Sequence, residues 1–577
     1  MESSPRAPAA AFSGSARRPE STRSGPEILA AVSLGLGIAL RVLHLVSGRS
    51  LWIDEARLAL SIGRRSYPQL VGPLDYDQAA APLFLLGQKA VSQLLGMGEW
   101  SLRLVPFAAG IGTIFLLWKL ANRLLPPLPA ALVVSMASLG PYFVHYSAEL
   151  KQYSVDVLVG CFLILSAVEW LGPPVPASRC RRLLVGGTLA VWLSATAPFV
   201  LAGVATGGVL RWPGMGRAAR RYLVLFFAMW AASFGLAYLL AYRFASDNAY
   251  LSRFWSAGFV GLGSWEALHA SWAAIRNLLC GLLIGWSTEW PLSPWSSLIA
   301  SLLTVGLLVL CGIGLRDLRM RHGWWIVGLI GGGLGSALIA SAFNLYPVAM
   351  RTMFFSAPFL LLALGGGVAR VLADRELGAR RWVAAGLVGG LLLPPLLWSL
   401  GRVANSARAD GMRPAVQVFA QNASSGEPVY VFAGAIPAWL FYTTDWSKPD
   451  RGRLDRYAQV ASSEGAAFEN APSRQQAVTA EGDHLVYRVG ERLELLGLAT
   501  GYDATYLAGP TRDAPDPGWM ANEARRIHAV GAKSFWLVFS HFYGLEPYLV
   551  KELERRGARR VFDYQREGVL LFRYVFD

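Results

Sequence analysis

Charged residues are scarce in this chain: Asp, Glu, Lys and Arg make up 16% of its 577 residues, whereas hydrophobic residues make up 54%. This composition excludes a single soluble domain of this length. Cysteine is scarce too, because the chain has four cysteines and none of them shows a CxxC or zinc-site spacing. The cysteines therefore indicate no zinc site, and they say little about the redox compartment.

Long apolar runs are abundant instead. A run of about 20 apolar residues can cross a hydrocarbon core about 30 Å thick as an α-helix. We predict about eleven such spans: 27–46, 101–122, 128–145, 154–172, the two halves of 183–210, 222–241, 293–314, 324–342, 353–374 and 382–400. The stretch 183–210 counts as two short helices because arginines flank both of its ends and SATAP, around Pro198, breaks it. APLFLLGQKAVSQLLG is shorter and is predicted to lie in the membrane interface.

The net charge of +15 comes from Lys and Arg residues that are spread through short loops between the apolar runs. This distribution is typical of cytoplasmic loops, so it predicts membrane topology rather than nucleic-acid binding. Residues 1–26 are rich in Ser, Pro, Ala and Arg and are predicted to form a disordered cytoplasmic tail. The first helix then runs outward, and the loop that follows it lies on the exoplasmic side.

From about residue 402 the apolar runs shorten to strand length, as in PVYVFAG, SFWLVF and GVLLFRYVF, and charged helical stretches such as EPYLVKELERRGA intervene. Residues 402–577 are therefore predicted to form a soluble α/β domain on the exoplasmic side. Residues 27–401 form the transmembrane domain. The predicted fold class is a mainly α polytopic membrane protein with a C-terminal α/β domain.

The unusual polar residues of the transmembrane domain collect at the outer ends of its helices. Asp54 and Glu55 stand in LWIDEA, immediately after the first span. The other members of the group are Asp75, Asp77 and Gln78 of LDYDQAAAPLFLL, His145, Tyr146, Glu149, Lys151, Gln152 and Tyr153 of VHYSAELKQYS, and Tyr346 and Arg351 of NLYPVAMR. Acids and bases are thus predicted to meet at one interface, which indicates a site near both lipid and water.

Several of these residues also have ordinary structural explanations. Asp54 and Glu55 could be solvated loop charges or a helix cap, although two apolar residues directly before them favour a position close to the lipid. Lys151 and Arg351 could snorkel to lipid headgroups, or they could bind a lipid-linked phosphate. His145 could be an interfacial hydrogen-bonding residue, and the two tyrosines of its motif could belong to the aromatic belt.

These motifs resemble those of the GT-C class of membrane glycosyltransferases, in particular the bacterial branch related to protein O-mannosyltransferases and aminoarabinose transferases. LWIDEA, LDYDQAAAPLFLL, HYSAELKQYSVDVL and YPVAMRTMFFSAPFLLLALGGG occur in the order and spacing of that class and cover roughly residues 30–400. The resemblance implies transfer of a sugar from a polyprenyl-phosphate donor to an exoplasmic acceptor. It also implies that Asp54 is the essential first-loop carboxylate, which acts as general base or orients the acceptor or a metal, with Glu55 beside it.

The resemblance leaves a divalent metal ion open, because members of the class differ in their need for one. No other cofactor is implied. The chain departs from the aminoarabinose type in having no clear acidic-Lys-Pro motif in the loop, which leaves Lys151 and Arg351 as the candidate contacts of the phosphate. Composition and resemblance together indicate a bacterial inner membrane, with the site on the periplasmic side.

The chemistry needs a cation to stabilise the leaving phosphate and a carboxylate to deprotonate the incoming hydroxyl group. Direct attack by the acceptor would invert the anomeric centre, and we expect inversion. A retaining route would need a second carboxylate as nucleophile, for which Asp77 or Glu149 is a candidate.

Three alternatives stay open. A transporter predicts ionisable residues near helix midpoints and an internal repeat, whereas the predicted spans are nearly free of charge and show no repeat. A polysaccharide polymerase or ligase would differ only in using a diphosphate-linked donor. A structural scaffold would bind a partner through the C-terminal domain. The sugar and the acceptor, which could be a protein, lipid or glycan, are also open.

Overall fold

The computed structural model describes residues 24–172, 177–261, 263–286, 293–373, 377–406, 411–458, 486–489, 491–496, 517–541 and 546–576. Almost all of the tail predicted over 1–26 lies outside the described residues, so its disorder stays a prediction. The described chain forms a helical bundle up to Ser406, followed by a sheet-containing domain that begins at Met412.

The bundle consists of helices joined by short turns. In chain order they are α1 (Gly25–Val46), α2 (Ile53–Arg64), α3 (Pro82–Leu95), α4 (Glu99–Leu124), α5 (Pro127–Leu139), α6 (Pro141–Tyr146), α7 (Tyr153–Leu171), α8 (Ala177–Leu193), α9 (Ala197–Arg211), α10 (Arg217–Ala237), α11 (Arg243–Ser246), α12 (Ala249–Phe254), α13 (Trp265–Ile284), α14 (Pro294–His322), α15 (Trp324–Ala342), α16 (Ala357–Ala373) and α17 (Leu377–Ser406). A π-helical turn over Tyr238–Tyr242 joins α10 to α11, and a 3-10 turn over Thr352–Ser356 precedes α16.

Nine helical stretches within the described residues are long and apolar enough to cross a membrane. They are Gly25–Val46, Glu99–Leu124, Tyr153–Leu171, Arg217–Ser246, Trp265–Ile284, Pro294–His322, Trp324–Ala342, Thr352–Ala373 and Trp382–Ser406. The prediction of a mainly α, multi-pass membrane protein is therefore confirmed. Thr352–Ala373 is the most enclosed of these stretches, with 94% of its apolar window buried inside the bundle, so it forms the central helix.

The predicted set of about eleven spans differs from the structure in two places. The two short helices predicted in 183–210 are α8 and α9, and the break between them falls at 194–196, within SATAP as predicted. The predicted span 128–145, however, is divided into α5 and α6. The prediction also missed α13, because Glu266, His269 and Arg276 interrupt its apolar run.

Small residues allow the helices to approach closely, as is common where packing in lipid depends on van der Waals contact. A Cβ atom added at Gly314 of α14 would lie 1.7 Å from the carbonyl oxygen of Ala363 in α16. At Gly203 of α9 it would lie 2.3 Å from the carbonyl oxygen of Leu329 in α15. Any side chain at these two positions would force the helices apart.

The C-terminal domain contains one six-stranded sheet within the described residues, in the order β2-β3-β1-β4-β6-β5. The strands are β1 (Val429–Val431), β2 (Val486–Val489), β3 (Arg492–Leu496), β4 (Ser534–Ser540), β5 (Ala558–Arg566) and β6 (Val569–Phe576). The central strand β1 pairs in parallel with β3 and β4, and the outer pairs are antiparallel. The helices are α18 (Met412–Asn422), α19 (Ile436–Thr443), α20 (451–458), α21 (Pro517–Ala529) and α22 (Glu546–Arg555). The predicted α/β character is confirmed.

The C-terminal domain packs directly on the loop between α1 and α2. The Tyr442 hydroxyl of α19 accepts a hydrogen bond from the Leu51 N–H at 2.7 Å and donates one to Glu99 Oε1 at 2.9 Å. Arg413 of α18 pairs with the same Glu99, at 2.9 Å, and donates to the carbonyl oxygen of Gly48. The segment that carries LWIDEA is thus held between the bundle and the sheet domain.

Candidate active site

LWIDEA folds as the start of α2. Trp52 is the N-cap residue, and Glu55, at the third helical position, accepts a hydrogen bond from the Trp52 N–H at 3.3 Å. Both Asp54 and Glu55 lie in the first turn, where the unsatisfied N–H groups favour negative charge. Successive helical positions point in different directions, so the two carboxylates face different surroundings.

Glu55 is enclosed by cationic partners. Arg103 Nη2 and Nε donate to its carboxylate at 2.6 and 2.8 Å, Arg49 Nη2 donates at 3.1 Å, and the Leu150 N–H donates at 2.8 Å. Burial alone would raise the pKa of Glu55, but the charges and hydrogen bonds of Arg103 and Arg49 outweigh it and lower this pKa to about 2. Glu55 is therefore a fixed anion that ties α2 to α4 and to the segment before α7.

Asp54 has one strong partner and remains partly open. Its Oδ2 accepts a hydrogen bond from Arg351 Nη1 at 3.0 Å, and 19% of its side chain is exposed. Burial works to raise the pKa of Asp54, but the charges of Lys151, Arg351 and Arg57 prevail and lower it. Asp54 is thus a reachable carboxylate anion at neutral pH.

Arg351 reaches Asp54 from the turn before α16. Its guanidinium group stacks over the rings of Trp255 and Phe254, with distances of 4.6 and 5.4 Å to the ring centroids. Stacking of this kind fixes the plane of the guanidinium and leaves its edge for hydrogen bonds. An anion beside Asp54 would meet this oriented edge.

Lys151 stands on the same side of the site as Arg351. Its Nζ donates to Gln78 Oε1 at 2.6 Å, and burial is the main cause that lowers its pKa, opposed by the charge of Asp54. The neighbouring Gln152 donates to the carbonyl oxygen of Ala79 at 3.3 Å. The predicted meeting of the first loop with the HYSAELKQYS motif is therefore observed at atomic contact.

The loop that carries Gln78 is held in an uncommon backbone conformation. Tyr76 and Asp77 have φ angles of 59° and 53°, in the left-handed region that non-glycine residues rarely adopt. Asp77 Oδ1 accepts a hydrogen bond from Asn248 Nδ2 at 2.7 Å, and Asp75 pairs with Arg65 at 2.7 Å. Asp75 and Asp77 therefore fix the loop from both sides, and the structure shows no contact of either with Asp54.

Glu149 lies between Trp52 and His145. Trp52 Nε1 donates to its Oε1 at 3.2 Å, and His145 Nε2 lies 3.0 Å from its Oε2. Burial raises the pKa of Glu149 to about 7, with a further contribution from the negative charge of Glu55. Glu149 is thus a carboxyl group whose protonation changes near neutral pH.

Tyr146 and Tyr153 are buried within the protein rather than placed in a lipid-facing belt, and Tyr346 is half-buried. Tyr146 packs edge-on against Tyr153, with ring centroids 4.9 Å apart. The Tyr346 hydroxyl donates to the carbonyl oxygen of Thr352 at 2.8 Å. Tyr346 therefore shapes the turn that presents Arg351, and no contact with Asp54 is observed for it.

Five residues of the site escaped prediction: Arg49, Arg103, Asn248, Trp255 and His541. Arg103 offered a signal, because a charged residue just inside an apolar helix demands a partner. The others lie in loops whose sequence gives no pattern to follow.

His541 brings the C-terminal domain to the site. It follows β4 with a φ of 52°, and its ring centroid is 6.5 Å from that of Trp52. Burial lowers the pKa of His541 to about 4, against the opposing effect of the Asp54 charge. A neutral imidazole of the soluble domain therefore stands within the electrostatic reach of Asp54.

In the part of the chain that the structure describes, no group of three or more His, Cys, Asp or Glu residues is placed to bind a metal ion. Asp54 and Glu55 are each paired with arginine instead.

The sequence model of the dolichyl-phosphate-mannose-protein mannosyltransferase family matches residues 79–172. This segment runs from the start of α3 to the end of α7 and includes His145, Glu149 and Lys151. The match agrees with the resemblance to membrane glycosyltransferases that the motifs show. It covers well under half of the chain, and comparison with curated protein sequences gives no match.

Three solved structures are similar over most of the chain, with low sequence identity. ArnT from Cupriavidus metallidurans bound to undecaprenyl phosphate is 14% identical, with a TM-score of 0.44, over 94% of this chain and 97% of that one. The Archaeoglobus fulgidus oligosaccharyltransferase in complex with Zn and sulfate is 12% identical, with a TM-score of 0.46, over 94% and 73% of the two chains. AglB from Archaeoglobus fulgidus with an inhibitory peptide and a dolichol-phosphate is 13% identical, with a TM-score of 0.48, over 94% and 74%.

Proposed function

We propose that this protein is a membrane glycosyltransferase that transfers a sugar from a polyprenyl-phosphate donor to an acceptor on the exoplasmic face, in a bacterial inner membrane. One observation carries the proposal most directly. Asp54 and Arg351, 297 residues apart in the chain, form a partly open ion pair beside Lys151 at the end of a helical bundle of membrane-spanning length. The family match over residues 79–172 supports the same class of enzyme.

The cations suit the donor. Arg351 can offer several N–H groups in one plane, and Lys151 adds a point charge next to the same carboxylate. When the bond between the anomeric carbon and the phosphate oxygen breaks, negative charge grows on that oxygen and the two cations stabilise it. The donor phosphate would accept part of the hydrogen bonding that Arg351 now donates to Asp54.

Asp54 is better suited to orienting the acceptor than to taking its proton. Its pKa lies below the ordinary value, so it is a weak base, whereas general bases work best with a pKa near the working pH. As an anion it can accept a hydrogen bond from the attacking hydroxyl and hold it in line with the anomeric carbon. Single displacement in this geometry inverts the anomeric centre.

Glu149 is a second candidate for the proton acceptor. Its pKa of about 7 fits the task, and Trp52 links it to the turn that carries Asp54. The acceptor hydroxyl would then lose its proton to Glu149 as the new glycosidic bond forms, and the polyprenyl phosphate would leave as the free anion. Glu55, which is fully enclosed by Arg49 and Arg103, would position the loop and take no part in proton transfer.

Sugar transfer from synthetic polyprenyl-phosphate donors tests the proposal. Membranes that contain the wild type are expected to transfer radiolabelled sugar to an endogenous acceptor, and Asp54→Asn is expected to lower the rate by about 100-fold to 10,000-fold. A polyprenyl-diphosphate donor and a chelator form two further arms. The first distinguishes a polymerase or ligase, and the second reveals dependence on a divalent ion.

Two results would overturn the proposal. Equal transfer by the wild type and by Asp54→Asn would remove Asp54 from the mechanism. A complete lack of transfer from both donor types, with the protein inserted in the membrane, would favour a transporter or a scaffold instead.

A further inference from the structure

A cavity lies beside His145, the residue that contacts Glu149. It is an open cavity with a volume of about 500 Å³, and it is bordered by the ends of α1, α6 and α17 and by the turn between β5 and β6. Its polar lining includes Arg49, Arg402, His44 and His145, and its apolar lining includes Leu397 and Trp398. We call it the basic cavity.

His44 is the clearest sign that this cavity holds a ligand. Its side chain is buried, with 4% exposure, and neither of its ring nitrogens has a hydrogen-bond partner among the described residues. A buried polar group without a partner costs about 1–3 kcal/mol, so such groups are rare in folded proteins. A hydrogen-bonding ligand in the cavity would satisfy the imidazole.

The charge of the basic cavity favours an anion. Arg402 contacts the ring face of Tyr142, at 5.5 Å, and pairs with no carboxylate in the described part of the chain. Arg49 adds a second guanidinium group while it holds Glu55 on its other side. Glu567 is the acidic residue of the lining, and its side chain is exposed at the rim. Two arginines against one exposed carboxylate leave a net positive lining.

The apolar side of the cavity continues onto a surface that faces lipid. Leu393, Leu397 and Leu400 are exposed on one face of α17, at spacings of four and three residues, and Trp398 is half exposed beside them. This part of α17 belongs to the membrane-spanning stretch Trp382–Ser406. A lipid tail can therefore lie along α17 while its head group enters the cavity.

We propose that the basic cavity binds the anionic, phosphate-bearing head group of a membrane lipid. The phosphate oxygens accept hydrogen bonds from Arg402, Arg49 and His44, and the tail lies against Leu397 and Trp398. His145 separates this site from Glu149, and Glu149 and Trp52 separate it from Asp54. It is thus a second anion site, distinct from the one that Arg351 and Lys151 form, and it does not depend on the proposed transfer reaction.

Photocrosslinking of lipid to the purified full-length protein tests this site. The probe is phosphatidylglycerol that carries a photoactivatable group near the start of one acyl chain. We expect crosslinks in the peptide that contains residues 393–406, mapped by mass spectrometry, and competition by unlabelled phosphatidylglycerol but much less by phosphatidylcholine. Inorganic phosphate is a further competitor: displacement of the lipid by an equal concentration of it would show a site for free phosphate and overturn the lipid assignment.

Variants of Arg402 localise the binding. Arg402→Gln is expected to weaken lipid binding about tenfold, because one charge-assisted hydrogen bond is lost, and Arg402→Lys is expected to retain most of it. Arg316→Gln is the matched control, since Arg316 is an exposed arginine near the far end of α14. Unchanged crosslinking of residues 393–406 in Arg402→Gln, or equal losses in Arg402→Gln and Arg316→Gln, would overturn the proposal. His44→Phe gives a second test, with weaker binding expected at an unchanged melting temperature.

Discussion

Asp54 and Glu55 are neighbours in the chain, yet they belong to two different regions of the molecule. Around Glu55 the protein is closed: two arginines and two backbone N–H groups donate to a carboxylate that has no exposed surface. Around Asp54 it is open, with one arginine donor and 19% exposure of the side chain. Burial is outweighed by positive charge in both regions, so both carboxyl groups have lowered pKa values. Ionisation therefore does not distinguish Asp54 from Glu55, whereas the exposed surface of the carboxylate does.

The largest expected effect is on the closed region. Glu55→Gln removes the negative charge between Arg49 and Arg103 and leaves two buried cations without it, which is expected to destabilise the protein by about 3–5 kcal/mol. Thermal unfolding of the purified protein measures this loss. Asp54→Asn is the matched control, with an expected change below about 1 kcal/mol because its partner Arg351 still stacks on Trp255. Equal destabilisation by the two variants would contradict the distinction.

The next largest expected effect is on kcat/KM, through substitution of Arg351 beside Asp54. Arg351→Lys keeps the charge but loses the planar group that stacks on Trp255 and Phe254, and kcat/KM for the lipid-linked donor is expected to fall about 10-fold to 100-fold. Arg316→Lys, at an exposed position far from the site, is expected to leave kcat/KM unchanged. A donor kcat/KM that is the same in Arg351→Lys and the wild type would remove Arg351 from phosphate binding.

The pH dependence of sugar transfer tests the role of Glu149. Burial and the Glu55 charge raise the pKa of Glu149 to about 7, from an ordinary value of 4.5. If Glu149 accepts the proton, transfer rises with pH through about 7, and Glu149→Gln removes this rise. Between pH 4.5 and 7 the Glu149 carboxyl group is protonated in the native state and ionised in the unfolded state. Its contribution to the free energy of unfolding therefore falls as the pH rises through that range, and it is constant above pH 7. A rate profile that is unchanged in Glu149→Gln would exclude Glu149 as the base.

The smallest expected effect is on stability, through the hydrogen bonds that Tyr442 makes with the loop between α1 and α2 and with α4. Tyr442→Phe removes the hydroxyl that links Leu51 to Glu99 and is expected to lower stability by about 1 kcal/mol. A fall in the melting temperature of the full chain measures it. Tyr548→Phe, an exposed tyrosine of the same domain, provides the comparison and is expected to change nothing.

The fold class followed from the sequence because apolar length and periodicity are local properties. The bounds of α1, α4, α7 and α15 agree with the predicted spans to within a few residues. The missed helix α13 shows the limit, since polar residues within it are satisfied by tertiary contacts such as Arg276 with Ser297. A hydropathy pattern does not contain those contacts.

The position of the site residues at one end of the bundle was predictable from the sequence, but the contacts between them were not. Topology placed Asp54, Lys151 and Arg351 at the same end of the bundle, and the structure brings them into electrostatic contact. It also separates Asp75 and Asp77, which fix their own loop, and it adds His541 from the other domain. The pair of Asp75 with Arg65 is local. The other differences depend on contacts between segments at least 171 residues apart, so no local pattern predicts them. The catalytic and binding roles of all these residues stay predictions.

The wide spacing of the contacts along the chain also decides when the site can first exist during synthesis. Asp54 leaves the ribosome 297 residues before Arg351, and Leu51 precedes Tyr442 by 391 residues. At about 5–20 residues per second, the first carboxylate waits roughly 15–60 s for its arginine. A nascent chain that has not yet reached Arg351 and Tyr442 thus carries LWIDEA without these two partners, and the contacts of the first loop can form only after both have been synthesised.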